Sequence, residues 1–283
     1  MSMSRLSSNV LQAAALAAVL AASCVNKTAD DDDDTGPATG GSKDDGTGGE
    51  SSTGGTDDET GGSGSVPDGA VECPTPTTAL ITDFTPAEDS TDTEQVTWGD
   101  FTTTFSGGSL VYPDSITSDV SNNEWHVSGT VDDYTGFGFY FSVPTGKCGL
   151  IDASAFKGFS VEVSGTLPSG KKLMMWVATA DTSVSYKWYK DNGIDKDPGF
   201  GRCNPASSDN EYDGTCKNAE AEVPLSDSAK TVTLKWSDFT GGKPETTVDP
   251  EEITGFGFYV TWAGDSDTPY DFDITFDDLS FLE

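Results

Sequence analysis

Basic residues are scarce in this chain: 15 lysines and arginines stand against 48 aspartates and glutamates, for a formal net charge of -33. A surface of that sign repels phosphate backbones, which excludes nucleic acid as a partner and favours solubility and cation binding. Histidine is almost absent. His126 is the single one, so a Ser-His-Asp triad would have to be built on it. It lies in Asn123-Glu-Trp-His-Val127, which reads as a strand, and nothing like a nucleophile elbow appears. Cysteines are few, and their number, five, is odd; no Cys-x-x-Cys or Cys/His spacing suggests zinc. No amphipathic helix longer than two turns is visible. No Gly-rich loop runs from a strand into a helix, as phosphate binding requires. Two carboxylates suited to glycoside hydrolysis can always be found among so many acids, so their presence discriminates nothing. These absences point away from catalysis.

What is present begins at the N-terminus. Arg5 precedes an apolar run, Leu11-Gln-Ala-Ala-Ala-Leu-Ala-Ala-Val-Leu-Ala-Ala-Ser-Cys24. The run is too short to span a bilayer with its flanks and reads as a secretory signal over residues 1–23. It resembles the bacterial lipoprotein signal, in which small residues directly precede an acylated cysteine. That resemblance implies a lipid on Cys24 and an exported, membrane-anchored protein. Val25, not an acidic residue, comes after the cysteine, which by the same resemblance favours the outer membrane or cell surface. Residues 24–72 are then a tether. From 25 to 72 there are 13 acids and 2 lysines, a run Asp30–Asp34 and no aromatic residue. Such a segment cannot repay the entropy of ordering. As a flexible coil it would span roughly 40 Å, holding the C-terminal part of the chain clear of a membrane.

Residues 73–283 have a different composition, with aromatic and β-branched residues in short runs between Gly, Asp, Asn, Pro and Ser clusters. Several runs alternate with a period of two, as half-buried strands do. In Phe137-Gly-Phe-Tyr-Phe-Ser-Val143 the phenylalanines share one face and Gly138, Tyr140 and Ser142 the other. Phe159–Val163, Val232–Trp236 and Phe272–Phe276 behave alike. An all-β sandwich of one domain, expected to be a monomer, is the result. The hexapeptide Thr135-Gly-Phe-Gly-Phe-Tyr140 recurs as Thr254-Gly-Phe-Gly-Phe-Tyr259, which predicts two strands with equivalent roles. With Cys24 lipidated, Cys73, Cys148, Cys203 and Cys216 form an even set in an oxidising compartment, open to three pairings. The local choice is Cys203–Cys216, which leaves Cys73–Cys148.

Leu80-Ile-Thr-Asp-Phe84, Gly149–Val163 with its Asp152-Ala-Ser-Ala-Phe-Lys-Gly-Phe159 core, Thr231–Phe239, Asp249–Phe258 and Tyr270–Phe281 occur in an order similar to that of the family 11 carbohydrate-binding modules. The related complex I intermediate-associated protein 30 type domain is similar in the same way. Both are galactose-binding-like jelly rolls. The resemblance covers nearly all of residues 80–283 and implies non-catalytic binding of a polysaccharide or glycoconjugate. It also implies a structural calcium ion where the opening strand meets the last one, held by Asp83 with Asp277 or Asp278; hard cations prefer such carboxylates. A polar insertion from about Asp191 to Glu222 departs from the pattern.

Sugars are recognised by flat aromatic faces and by polar groups that bond hydroxyls. Tyr140 and Tyr259 are out of phase with their phenylalanines, and Trp176 is in phase with Met174 against Leu173, Met175 and Val177. Tyr186, Trp188 and Tyr189 precede the insertion, at an expected strand end. Asp271 and Asp273, with Glu162 and Lys235, are the expected polar partners on the same outward surface. Trp236 and Trp262 follow the core phase. A second calcium candidate is Asp209–Glu220, which has EF-hand spacing with Gly214 at position six but no flanking helices.

Overall fold

The computed structural model describes residues 72–283 except 74, 87–95, 99–100, 104–107, 133, 141–148, 197, 209, 212 and 263–267. The signal, Cys24, the tether and Cys148 lie outside the described residues.

Among the described residues, thirteen strands build two facing antiparallel sheets and a small hairpin. Strands β1 (Leu80–Thr82), β5 (Thr117–Ser121), β6 (Glu124–Val131), β8 (Gly158–Thr166), β11 (Lys230–Lys235) and β13 (Tyr270–Leu282) form a six-stranded sheet. Its order is β11-β8-β13-β6-β5, with β1 also pairing with β13. Strands β4 (Gly108–Tyr112), β7 (Thr135–Tyr140), β9 (Leu173–Thr179), β10 (Ala219–Val223) and β12 (Ile253–Val260) form a five-stranded sheet in the order β10-β9-β12-β7-β4. The remaining strands, β2 (Val96–Trp98) and β3 (Phe101–Thr103), make the hairpin. The chain crosses between the two large sheets at β4–β5, β6–β7, β7–β8, β8–β9, β10–β11, β11–β12 and β12–β13, and this repeated crossing produces the sandwich that the alternating runs predict and the jelly roll that the resemblance implies.

The alternation decides which residues meet between the sheets. Val127, Val131, Phe159, Val161, Val163, Phe272, Ile274 and Phe276 come from one sheet and are buried, as are Phe137, Phe139, Leu173, Met175, Val177, Phe256 and Phe258 from the other. Each such side chain contributes about 1.5–3 kcal/mol by leaving water. The rings interlock at Trp125, which packs edge-on to Phe137 at 5.7 Å and tilted against Phe276 at 5.6 Å. Trp236 and Trp262 pack against this core from its rim, half-buried.

Two local devices fix the geometry. Asn122 and Asn123, both at positive φ (56° and 64°), turn β5 into β6. This is the two-residue turn whose twist suits a hairpin, and asparagine tolerates it best after glycine. The insertion, for its part, closes the far end of the five-stranded sheet. Cys203–Cys216 staples it. Arg202 donates to Asp181 at 2.8 Å and in a fork to Glu252, tying it to the approach to β12. The Ser183 and Thr254 hydroxyls meet at 2.8 Å. Cys73 is also disulfide-bonded; its amide donates to Leu150 O at 2.7 Å, two residues from the expected partner Cys148.

Candidate functional site

The two hexapeptides are neighbours. Strands β7 and β12 pair antiparallel with Gly138 opposite Gly257, Phe137 opposite Phe258 and Phe139 opposite Phe256. Each tyrosine falls opposite the first glycine of the other copy, Tyr259 facing Gly136 and Tyr140 facing Gly255. The phenylalanines all point into the core, so the outward side of the sheet centre carries four buried glycines and no side chains of its own from those positions.

Rings from neighbouring positions close over that strip. Trp176 pairs with Gly257 across β9 and β12. A Cβ on Gly257 would stand 2.7 Å from Trp176 Cζ2, so the indole occupies the space that the glycine leaves. Tyr134, just before β7, sets its hydroxyl over Gly136 in the same way. Tyr134 then packs against Tyr259 at 6.1 Å and Tyr112 at 6.2 Å, making a row of three phenol rings across β4, β7 and β12. Trp176 and Tyr134 are nearly covered, whereas Tyr112, Tyr259 and Met174 stay half-exposed.

Carboxylates flank the rings. Glu220 and Glu222 point outward from β10, opposite Trp176 and Met174 respectively. The Tyr259 phenol donates to Glu220, and burial together with that negative charge pushes the phenol well above its ordinary range. Burial likewise raises Tyr134, with Tyr259 and Glu220 adding to it. Lys217 pairs with Glu220 at 3.3 Å, and Lys172 with Glu222. The strip is therefore an aromatic platform with fixed hydrogen-bonding groups on one side.

The structure brings Trp176 and Tyr259 together and gives Tyr140 a backbone place in the same sheet; the Tyr140 side chain lies outside the described residues. It does not bring in the other candidates. Asp271 and Asp273 point outward from β13, in the other sheet, so the expectation of one shared surface is corrected. The reason is topological: β12 and β13 are consecutive but lie in opposite layers. There Asp271 accepts from Thr130 at 2.6 Å and Asp273 pairs with His126 at 2.9 Å. Glu162 and Lys235 belong to that sheet too.

Tyr186 and Trp188 do not end a strand. They sit on α1, a short helix (Tyr186–Asp191) capped by Ser185, whose hydroxyl accepts from the Trp188 amide. The cap turns Trp188 inward, leaving it 7% exposed, while Tyr186 lies half-buried beside Lys190. Both lie beyond the Thr179 end of β9, away from Met174.

The acidic candidates Asp83, Asp277 and Asp278 sit at the β1–β13 junction, where Thr82 pairs with Leu279. Asp83 accepts from the Thr85 amide and hydroxyl at 3.0 and 2.6 Å. Asp277 is raised above its ordinary range by burial and by Asp278, Glu162 and Glu124. Among the described residues, no three acidic, histidine or cysteine side chains gather as a metal site. The EF-hand spacing of Asp209–Glu220 does not become an EF-hand loop. Glu220 belongs to β10 and Glu211 accepts from Tyr189. Asp213 binds the Thr215 and Ser207 amides, and these bonds outweigh its burial and hold it below its usual range.

Sequence reasoning does not single out Tyr112 or Tyr134. A signal for Tyr134 exists: it shares the even-numbered phase of Gly136 and Gly138. Nothing in the sequence ties Tyr112 to that row, because β4 and β7 are joined only by long-range pairing.

Neither a family model nor a curated relative matches the chain. Among solved structures, it is similar to the family 11 carbohydrate-binding module of the cellulosomal cellulase Lic26A-Cel5E of Clostridium thermocellum. The identity is 15% over 75% of this chain and 95% of that one, with a TM-score of 0.38. A family 11 module from Clostridium thermocellum in complex with a β-1,3-1,4-mixed-linked tetrasaccharide is similar at 15% identity, over 62% of this chain and 88% of that one, with a TM-score of 0.36. A family 30 carbohydrate-binding module is similar at 12%, over 67% and 88%, with a TM-score of 0.28. Similarity of this degree assigns no ligand to the chain.

Proposed function

We propose that this chain is a non-catalytic carbohydrate-binding protein, anchored to a bacterial membrane by lipid on Cys24, whose ligand lies along the outward face of the five-stranded sheet. One observation carries the reading: Tyr112, Tyr134, Tyr259 and Trp176 converge over a glycine strip beside Glu220. Rings offer C–H contact to a pyranose, and carboxylates bond its hydroxyls; rigid aromatic anchors with a few placed polar groups are what ligand sites need. The tether would carry that face away from the membrane, toward a polysaccharide or glycoconjugate.

A protein-contact role has less support. Leu80, at 37%, is the one large hydrophobic side chain that is well exposed among the described residues, and a single exposed side chain marks no interface. Affinity electrophoresis against mixed-linkage β-glucan, other β-glucans, xylan and mannan tests the proposal. Retardation on at least one polymer, with no release of reducing sugar, is expected. A folded protein retarded by none refutes it.

A further inference from the structure

Of the two carboxylates beside the phenol row, Glu220 is the covered one. Its side chain is 16% exposed, against 51% for Glu222. A carboxylate withdrawn from water depends on its partners. Glu220 accepts from the Tyr259 phenol and, at 3.3 Å, from the Lys217 ammonium. Lys217 is itself 37% exposed. An ion pair with one partner so exposed holds itself in place poorly, so the backbone of Lys217 sets where its ammonium lies.

That backbone is held from two sides. Toward the sheet edge, Lys217 exchanges both amide bonds with Lys243, at 3.1 and 2.8 Å, and Glu220 exchanges both with Thr240, at 2.9 Å. Toward the body of the domain, Cys216 directly precedes Lys217 and is joined to Cys203. Cys203 is the fixed end of that bond. It is 5% exposed, its amide donates to Ser183 O at 3.0 Å, and its carbonyl accepts from the Ser185 amide at 2.7 Å. Arg202 beside it is tied to Asp181 and Glu252. Cys216 is the carried end and is half-buried. The next support along the chain is weak: Asn218 Oδ1 accepts from the Thr182 hydroxyl at 3.3 Å, a donor shared with the Thr179 carbonyl.

We propose that the Cys203–Cys216 disulfide governs the affinity of the aromatic face: oxidised, it holds Lys217 against Glu220, and reduced, it releases Lys217 and weakens the grip on the glycan. The proposal rests on the reading of that face as the ligand site. Lys217 is a positioning residue in this scheme, because it acts through Glu220. A dithiol reductant throws the switch by exchange. Its thiolate attacks the Cys216 sulfur, the less buried of the pair, and the S–S bond breaks with Cys203 leaving as a thiolate that takes up a proton. The second thiol of the reductant then displaces Cys216 and closes a cyclic disulfide. The reductant loses two electrons and two protons, and the two cysteines gain them. A chain exported from a reducing cytosol acquires the bond, and full affinity with it, only outside.

The experiment uses the full chain, oxidised and dithiothreitol-treated, beside Lys217→Met, Lys217→Arg and the paired Cys203→Ser and Cys216→Ser substitutions. Far-UV circular dichroism checks that each is folded. Without ligand, reduction should shift the Tyr259 amide and Trp176 indole resonances in the unmodified chain and in Lys217→Arg, and leave them in place in Lys217→Met. With the polysaccharide retained in electrophoresis, reduction should weaken binding roughly five- to tenfold, as the loss of one charge-assisted contact does. Lys217→Met and the serine pair should start at the weakened affinity and lose nothing more, which also controls for the disulfide at Cys73. Lys217→Arg keeps the charge and should keep both the affinity and the response. Unmoved resonances in the unmodified chain, or an equal response in Lys217→Met, overturn the proposal whatever is bound. Full affinity in a folded Lys217→Met does the same. Resonances that move while affinity holds on reduction refute the control of binding and leave the face intact. Resonances that move as expected with no polysaccharide retained sink the face reading, and the control of binding with it, while the link from the disulfide to Glu220 stands.

Discussion

The indole of Trp176 and the bare α-carbon of Gly257 share one volume. Across the β9–β12 register, a Cβ on the glycine would meet Trp176 Cε2 at 2.9 Å and Nε1 at 3.0 Å. Gly257→Ala should therefore push the indole off the sheet and cost about 1–3 kcal/mol, the usual penalty of overpacking. Urea denaturation measures that loss. The same variant should bind the retained polysaccharide more weakly, since the displaced ring disturbs the row beside it.

Tyr259 has two separable contributions. Its ring supplies half-exposed aromatic surface and its hydroxyl donates to Glu220. Tyr259→Ala should cost about 2 kcal/mol of binding, near thirtyfold in Kd, as expected for an aromatic anchor. Tyr259→Phe keeps the ring and should retain most of the affinity, while losing about 1 kcal/mol of folding stability with the hydrogen bond. Titration calorimetry and thermal melts distinguish these effects. Equal losses of affinity in both variants would mean that the hydroxyl, not the ring, meets the ligand.

Asp277 gives a pH dependence of known sign. Burial and then Asp278, Glu162 and Glu124 raise its carboxyl above the ordinary aspartate range. A folded-state value above the unfolded one means that the native state holds this proton more tightly. The favourable contribution is full below the unfolded value and is lost as pH rises through the folded one. Asp277→Asn removes this dependence. It should raise Tm at neutral pH relative to the unmodified protein and leave it nearly unchanged in acid below the unfolded value.

The Cys203–Cys216 bond closes a loop of sequence separation 13 within the insertion. Loops of this length gain about 3 kcal/mol in the chain-entropy picture. Replacing both cysteines by serine should lower Tm and open residues 204–215 to proteolysis. Limited digestion and mass spectrometry of the fragments read where the cuts fall.

Lipidation is tested separately from the fold. Cys24→Ser in the full chain should move the protein from the detergent-rich to the aqueous phase on Triton X-114 partition and abolish incorporation of labelled palmitate. A single acyl chain binds membranes only marginally, so stable anchoring needs more than one. An unmodified protein that partitions to the aqueous phase would refute the anchor.

The layers of the fold are legible in the sequence because period-two alternation is a local signal. Phe137 and Phe139, then Phe159, Val161 and Val163, and Phe272, Ile274 and Phe276 all point inward as their phase predicts. The outward phase of Trp176 and Tyr259 is legible for the same reason. Which sheet each outward residue occupies is not, because phase says inside or outside and never which side of a sandwich. Asp271 and Asp273 therefore fall on the layer opposite to the one expected. Trp188 departs from expectation because it sits on a capped helix of six residues, too short to leave a hydrophobic period. Tyr112 joins the row through pairing between β4 and β7 that only the folded chain reveals.

The self-pairing of the two hexapeptides has a consequence for how such a surface can change. The central pair, β7 and β12, spends its inward positions on phenylalanine and most of its outward positions on glycine, so it is scaffold with little vocabulary of its own. Apart from Tyr259 at the end of β12, what the surface reads is written by the margins: Tyr112 from β4, Trp176 and Met174 from β9, Glu220 and Glu222 from β10. Those positions can be rewritten without touching a residue that faces the core, so a new ligand preference could arise at the edges of the sheet while its centre stays the same.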